Sequence, residues 1–111
     1  MLIEQRVLEY LKDELDMEDV YPEIPRERAD KFVVLRVTDR GMSNRINEVT
    51  IEFSSYAPTK YEAAVLDELV RNTMDGIVRL DDITCRFGGG NDNPDTVLKI
   101  PRYRCYFNLF Y

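Results

Sequence analysis

Apolar and polar residues alternate in four segments of the chain, and a period of two is typical of half-buried β-strands. The predicted strands are 32–38, 46–56, 83–87 and 102–111. The alternation is clearest in the second segment, where Val49, Ile51 and Phe53 point to one side. In all four segments the odd-numbered positions form this apolar side. The strands are therefore expected to share one buried face.

Two other segments have the spacing of amphipathic helices. Over 2–16, apolar residues recur at every fourth position, namely Ile3, Val7, Leu11 and Leu15. The second helix is expected to begin at Thr59, because Thr59 and Glu62 fit a capping box, and to end near Gly76. Its predicted buried stripe is Ala63, Leu66, Val70 and Met74, supplemented by Leu69 and Ile77.

Three connecting segments complete the prediction. Residues 20–25 are expected to form an extended edge or arm, since Pro22 and Pro25 cannot donate to a strand ladder. Residues 39–45 and 88–101 are expected to be long connections that follow the first and third strands. The whole chain, 1–111, is predicted to be a single α+β domain. We expect an antiparallel four- to five-stranded sheet with two helices packed on one face.

The charge balance limits the possible partners. The chain has 21 acidic and 15 basic residues, a net charge of −6. This composition argues against a protein that wraps nucleic acid by neutralising phosphates. It is compatible with a wall that DNA passes without binding. No secretory signal or membrane segment is expected, and the two cysteines, Cys85 and Cys105, are expected to be reduced and buried, although a disulfide between neighbouring strands is possible.

Candidate chemistry is sparse. There is no histidine, which removes the commonest general base and metal ligand. The glycine triplet 88–90 lacks the lysine and Ser/Thr of a phosphate loop, and 91–95 lacks the spaced acids of a calcium loop. Glu48 and Glu52 share a strand face and could hold Mg²⁺, but solvated carboxylates are the favoured interpretation. We therefore predict no catalytic residues, no metal site and no cofactor.

Four large apolar residues fall on the opposite, even-numbered face of the sheet: Phe32, Val34, Tyr106 and Phe110. A cluster of this size is costly to leave in water. Two explanations stay open at this point. Either the arm that begins at Val20 covers the cluster, or another subunit does.

Several runs of sequence, in this order, resemble the tail-terminator (tail-completion) proteins of long-tailed bacteriophages. The runs are Lys31-Phe32-Val33-Val34-Leu35, Val49-Thr50-Ile51-Glu52-Phe53-Ser54-Ser55-Tyr56-Ala57, Tyr61-Glu62-Ala63-Ala64, Asp92-Asn93-Pro94-Asp95-Thr96 and Arg102-Tyr103-Arg104-Cys105-Tyr106-Phe107. Together they lie within residues 20–111. The resemblance implies an α+β fold, a hexameric ring and no catalytic residues.

The resemblance also implies a function and its partners. Such a ring caps the tail tube, ends its polymerisation and offers a surface to the head–tail connector, while DNA passes through the lumen. The expected location is the virion tail, assembled in the host cytoplasm, with no membrane contact. Predicted interface residues lie on the two long connections and on the even-numbered face. They are Arg40, Met42, Asn44, Arg45, Asn91, Asp92, Phe32, Val34, Tyr106 and Phe110.

Three alternatives stay open from the sequence. Another ring-forming connector or neck protein would share this architecture. A small metal-dependent nuclease would use Glu48 and Glu52. A monomeric binding domain would use a groove over the face that carries Phe32 and Tyr106.

Overall fold

The elements follow the predicted order of helix, arm, hairpin, helix, hairpin. The computed structural model describes residues 3–24, 26–27, 29–43, 46–79, 83–92 and 99–111. The helices are α1 (Ile3–Leu15) and α2 (Lys60–Asp75), and α2 continues into a short 3-10 helix (Gly76–Arg79). The strands are β1 (Val20–Tyr21), β2 (Phe32–Ser43), β3 (Ile46–Tyr56), β4 (Thr84–Asp92) and β5 (Arg102–Phe110). The α+β class is thereby confirmed.

The sheet has the order β1-β2-β3-β5-β4 and is mixed. Three of its pairings are antiparallel, as expected. The expectation of a purely antiparallel sheet was wrong for β1, because Val20 pairs with Val33 and Tyr21 with Val34 in parallel. Pro22 follows β1 directly and cannot donate to a ladder, so the pairing stops after two residues.

The first strand of the first hairpin is longer than the alternating pattern predicted. β2 continues past residue 38 to Ser43, so the prediction of a long connection was wrong over 39–43. A bulge lies between Val37 and Asp39 and takes Thr38 out of the pairing. A bulge interrupts the period of two while the ladder continues beyond it, which explains why the pattern ended early. Residues 44 and 45 lie outside the described part of the chain.

The glycine triplet belongs to β4, so the prediction of a long connection was wrong over 88–92. A bulge lies between Phe87 and Gly89, and Gly89 has a φ of +130° that suits glycine. A Cβ on Gly90 would lie 2.8 Å from the carbonyl oxygen of Arg104 and would overlap the guanidinium of Arg71. At Gly90 the absence of a side chain permits close packing. Residues 93–98, in the predicted second connection, lie outside the described residues.

Both helices pack on the odd-numbered face of the sheet, as predicted. The core combines Val7 and Leu11 of α1 with Val70 and Met74 of α2, all inaccessible to solvent. It also contains odd-numbered strand residues, namely Val33, Leu35, Val49, Ile51, Phe53, Cys105, Phe107 and Leu109. The Tyr10 hydroxyl donates to the Thr73 carbonyl at 2.7 Å and ties the two helices together. We call this covered side the first face.

The caps of α2 lie at the predicted residues, but only half of the capping box is formed, because the Glu62 carboxylate accepts from the Thr59 hydroxyl at 3.2 Å. The Thr59 hydroxyl accepts a bond from the Glu62 amide at 3.2 Å, and Gly76 is the C-cap. Ile77 is fully buried, as expected. Leu69 was predicted to be buried but is 49% exposed, because it lies on the outer side of the helix.

The two cysteines are free thiols, as expected. Cys85 pairs with Leu109 and Cys105 with Gly90, so the two thiols are four residues apart along β5, or about 13 Å. A disulfide requires Cα atoms closer than about 7 Å, so a disulfide between the two is excluded. Burial raises the pKa of each thiol to about 12.

Candidate interaction surfaces

The arm covers part of the even-numbered side of the sheet, which we call the second face. Phe32 and Tyr56 stack there with ring centroids 4.5 Å apart, and Tyr21 of β1 lies 6.4 Å from Phe32. Val34 packs in the same cluster, together with half-buried Ile100. Of the two explanations left open by the sequence, the arm accounts for Phe32 and Val34.

Tyr106 and Phe110 lie on the second face farther along β5, and both are half-buried. Tyr106 pairs with Glu52 of β3, and Phe110 pairs with Glu48. They are not in the aromatic cluster that Tyr21 covers. The four apolar residues predicted as one surface are thus divided between a covered part and a partly open part.

Glu52 is the most heavily buried charge on the second face, at 5% exposure. Its carboxylate lies 3.2 Å from Nε of Arg104 and 3.6 Å from Nη2 of Arg36. The Ser54 hydroxyl lies 3.4 Å from the same carboxylate. The interpretation of Glu52 as a solvated carboxylate was therefore wrong. Arginines on both flanking strands enclose it, and a buried carboxylate needs such partners.

Around Glu52 lies a groove of about 240 Å³, which we call the arginine groove. Its lining includes Val34, Arg36, Glu52, Tyr56, Arg102 and Arg104, and residues 22–24 of the arm form a rim. Nη1 of Arg102 donates to the Tyr56 hydroxyl at 3.2 Å, and its guanidinium carbon lies 5.7 Å from the centre of that ring. Three guanidinium groups therefore face two carboxylates, those of Glu52 and Glu23, in a chain whose overall charge is −6.

The outer end of the β2–β3 hairpin carries two exposed apolar side chains. Met42 is 70% exposed and Ile46 is 50% exposed. Arg40, predicted as an interface residue beside Met42, forms an ion pair with Glu4 of α1. Asn44 and Arg45, predicted in the same group, lie outside the described residues. The structure thus joins Arg40 to α1, while Met42 has most of its surface in solvent.

Asn91 and Asp92 lie at the end of β4, where their backbones pair with Arg104 and Tyr103. Asn91 therefore sits next to the strand position that contributes Arg104 to the arginine groove. Met42, by contrast, pairs with Asn47 at the tip of the β2–β3 hairpin. The predicted interface residues accordingly fall on separate surfaces.

The sheet has an open edge on each side among the described residues. β1 pairs only with Val33 and Val34, so β2 from Leu35 to Ser43 has no strand on its outer side in the described chain. β4 is the last strand on the other side. Unpaired backbone donors and acceptors at such edges are able to extend a sheet into another chain.

The outside of α2 carries an apolar stripe that was not predicted from the sequence. Tyr61, Val65 and Leu69 are 78%, 40% and 49% exposed and follow one another at intervals of four residues. That interval places them on one side of the helix. The signal was present in the sequence, because α2 has apolar residues at this spacing in addition to its buried stripe.

An ion pair within α2 lies against β4. The Asp67 carboxylate lies 2.8 Å from Nε of Arg71, and the Arg71 guanidinium carbon lies 4.9 Å from the centre of the Phe87 ring. Burial raises the pKa of Asp67, and the positive charge of Arg71 opposes that rise. Because Arg71 also lies against Gly90, this pair fixes α2 over the bulge in β4.

Within the described residues, no group of three or more Cys, Asp or Glu side chains could hold a metal ion. Among the described helices, none combines the length and apolar character needed to cross a membrane. No protein-family model matches the chain, and no curated protein matches it either. A function must therefore be inferred from the surfaces described above.

Proposed function

We propose that the chain is a tail-terminator protein of a long-tailed bacteriophage. In this proposal several copies, about six by the resemblance, close a ring on the finished tail tube. The ring stops further addition of tube subunits and presents its other side to the head–tail connector. DNA passes through the lumen without specific binding, and the protein is located in the virion tail.

The observation that best supports this proposal is the pair of open sheet edges. The two open edges, β2 beyond Val34 and β4, lie at opposite ends of the strand order. They are therefore different surfaces of one chain. A contact between two different surfaces is heterologous, and repeated contacts of this type close into a ring when the rotation permits. The exposed tip of the β2–β3 hairpin is then available to the tube or connector.

The net charge of −6 is compatible with the proposed lumen. An acidic wall repels the phosphates of passing DNA and keeps the DNA from adhering. A nuclease receives less support from the geometry, because Glu52 is engaged by Arg36 and Arg104. We therefore propose assembly as the function.

Tail length tests this proposal. Deletion of the gene in a phage or prophage that carries it should give overlong tails without heads in negative-stain electron micrographs. Expression of the intact chain from a plasmid should restore the normal length. Tails of normal length in the deletion strain would contradict a capping function, and normal tails that lack heads would instead indicate a connector.

The same complementation assay tests the hairpin tip. Met42→Glu places a charge on a side chain that is 70% exposed, so the fold should tolerate it while tube contact is lost. Tyr61→Glu is the matched control, since Tyr61 is 78% exposed but lies on α2. We expect overlong tails with Met42→Glu only. Normal tails with Met42→Glu would remove the tip from the proposed contact.

A further inference from the structure

The end of α1 carries an unusual concentration of negative charge. Asp13, Glu14, Asp16 and Glu18 are all exposed, and we call residues 13–18 the acidic turn. Asp16 has a φ of +50°, and the Met17 amide donates to the Lys12 carbonyl at 3.1 Å, which closes the helix. The turn is thus well defined by its own backbone contacts.

Folding of α1 does not explain these charges. The C-terminus of a helix carries a partial negative charge, so acids near it are destabilising. In the described part of the chain, none of the four acids has an ion pair. A positive group from outside the chain would remove this repulsion.

The arginine groove has the complementary charge. Arg36 is 65% exposed, and its separation of 3.6 Å from Glu52 leaves much of its surface available. Arg102 stacks on Tyr56, and Arg104 shares the Glu52 carboxylate with Arg36. Three guanidinium groups therefore line a groove that holds two carboxylates, those of Glu52 and Glu23, and the exposed Ile24 adds an apolar rim.

The two surfaces belong to opposite sides of the same sheet. The acidic turn follows α1, which packs on the first face, and the arginine groove lies on the second face. Opposite charges on different sides of one molecule favour association of one copy with the next. Such a contact is heterologous, as a ring requires.

From this charge complementarity we infer that the acidic turn of one copy docks into the arginine groove of the next copy. The inference rests on the proposed ring and adds a charged contact to the sheet-edge contact proposed for it. Carboxylates of the turn bind the guanidinium groups of Arg36, Arg102 and Arg104. Because several of these charges are partly exposed, the contact weakens as salt screens it.

A charge-swap experiment tests the inference. One variant carries Arg36→Glu with Arg102→Glu, and the other carries Glu14→Lys with Glu18→Lys. Self-association is measured by sedimentation equilibrium for each variant alone and for an equal mixture. Each variant alone should associate at least about tenfold more weakly than the unmodified chain, because like charges then meet.

The mixture distinguishes a specific contact from damage to the fold. In the mixture, the turn of each variant finds a groove of opposite charge on the other variant, so alternating copies should associate again. The matched control is Glu9→Lys, which alters an exposed residue of α1 outside the groove and the turn and should leave association unchanged.

Recovery of association in the mixture would support the inference. Full association of either variant alone, or loss without recovery in the mixture, would overturn it. An unmodified chain that stays monomeric at every concentration would also overturn it. A monomeric chain would not by itself disprove the capping function, which the tail-length experiment tests separately. Failure of the docking contact and failure of the proposed function are therefore distinguishable.

Discussion

The two faces of the sheet bury different kinds of side chain. On the first face, Val49, Ile51 and Phe53 of β3 are inaccessible to solvent beneath two helices. On the second face, the intervening residues Glu52 and Ser54 are also buried, but they lie among arginines instead of apolar side chains. A single alternating strand therefore supplies both a dry core and a polar, charged surface.

The comparison separates stability from function. Burial of apolar side chains is the dominant stabilising contribution to a fold, and the first face provides it. A buried ion pair is weak evidence for stability, because well-packed apolar residues often serve as well. The charges on the second face are therefore compatible with the contact that we propose there.

The largest expected difference is in the core of the first face. Phe53 is fully buried and meets Phe107 edge to face with centroids 5.9 Å apart. Phe53→Ala should lower the free energy of unfolding by about 3–5 kcal/mol, measured by urea denaturation. Phe87→Ala is the control, because Phe87 is 45% exposed and should lose only about 1 kcal/mol. Equal losses would contradict this division.

The glycines provide the next comparison. Gly90 has backbone 2.8 Å from the position of an added Cβ, whereas Gly41 in the hairpin has no atom within 4 Å of that position. Gly90→Ala should lower the free energy of unfolding by about 1–3 kcal/mol, because the strand or Arg71 must move. Gly41→Ala should change it by about 0.5 kcal/mol or less. Thermal denaturation of both variants would check the difference.

On the second face the expected loss is smaller. Glu52→Gln removes the charge that lies between Arg104 and Arg36, and should lower the free energy of unfolding by about 1–2 kcal/mol. The value is modest because Arg36 is 65% exposed and water screens its charge. Glu48→Gln, at a half-buried position of the same strand face, should be nearly neutral. If Glu52→Gln lowered the free energy of unfolding as much as Phe53→Ala does, the second face would stabilise the fold as strongly as the first.

The smallest stability effect is expected at the rim of the arginine groove. Arg36→Gln should change the free energy of unfolding by about 0.5 kcal/mol or less, since the Arg36 side chain is largely exposed and Arg104 still pairs with Glu52. Its self-association should nevertheless weaken, because one docking charge is lost. Parallel denaturation and sedimentation measurements would check both halves of this prediction. If Arg36→Gln lost stability but associated normally, Arg36 would have a structural role and no role in docking.

Much of the first face could be predicted from the sequence. Local patterns are sufficient where one side of an element is uniformly apolar, as in β3 and β5, and where a cap uses neighbouring residues, as Thr59 and Glu62 do. Both bulges escaped prediction because each interrupts the period of two at one residue, at Thr38 and at Gly88.

The second face was harder to predict because its environment comes from distant segments. Glu52 is buried by Arg36 and Arg104, which reach it from two other strands, so its own neighbours in sequence gave no sign of burial. The parallel pairing of Val20 with Val33 likewise depends on the path of the chain between them. The arginine groove exists only after these segments meet.

The most direct test of the whole account is the mass of the unmodified protein in solution, measured by analytical ultracentrifugation at low and then at high ionic strength. We predict a closed oligomer at low ionic strength that dissociates toward the single chain as salt screens the arginine groove. A single chain at every concentration and ionic strength would contradict the claim that the second face is where copies meet.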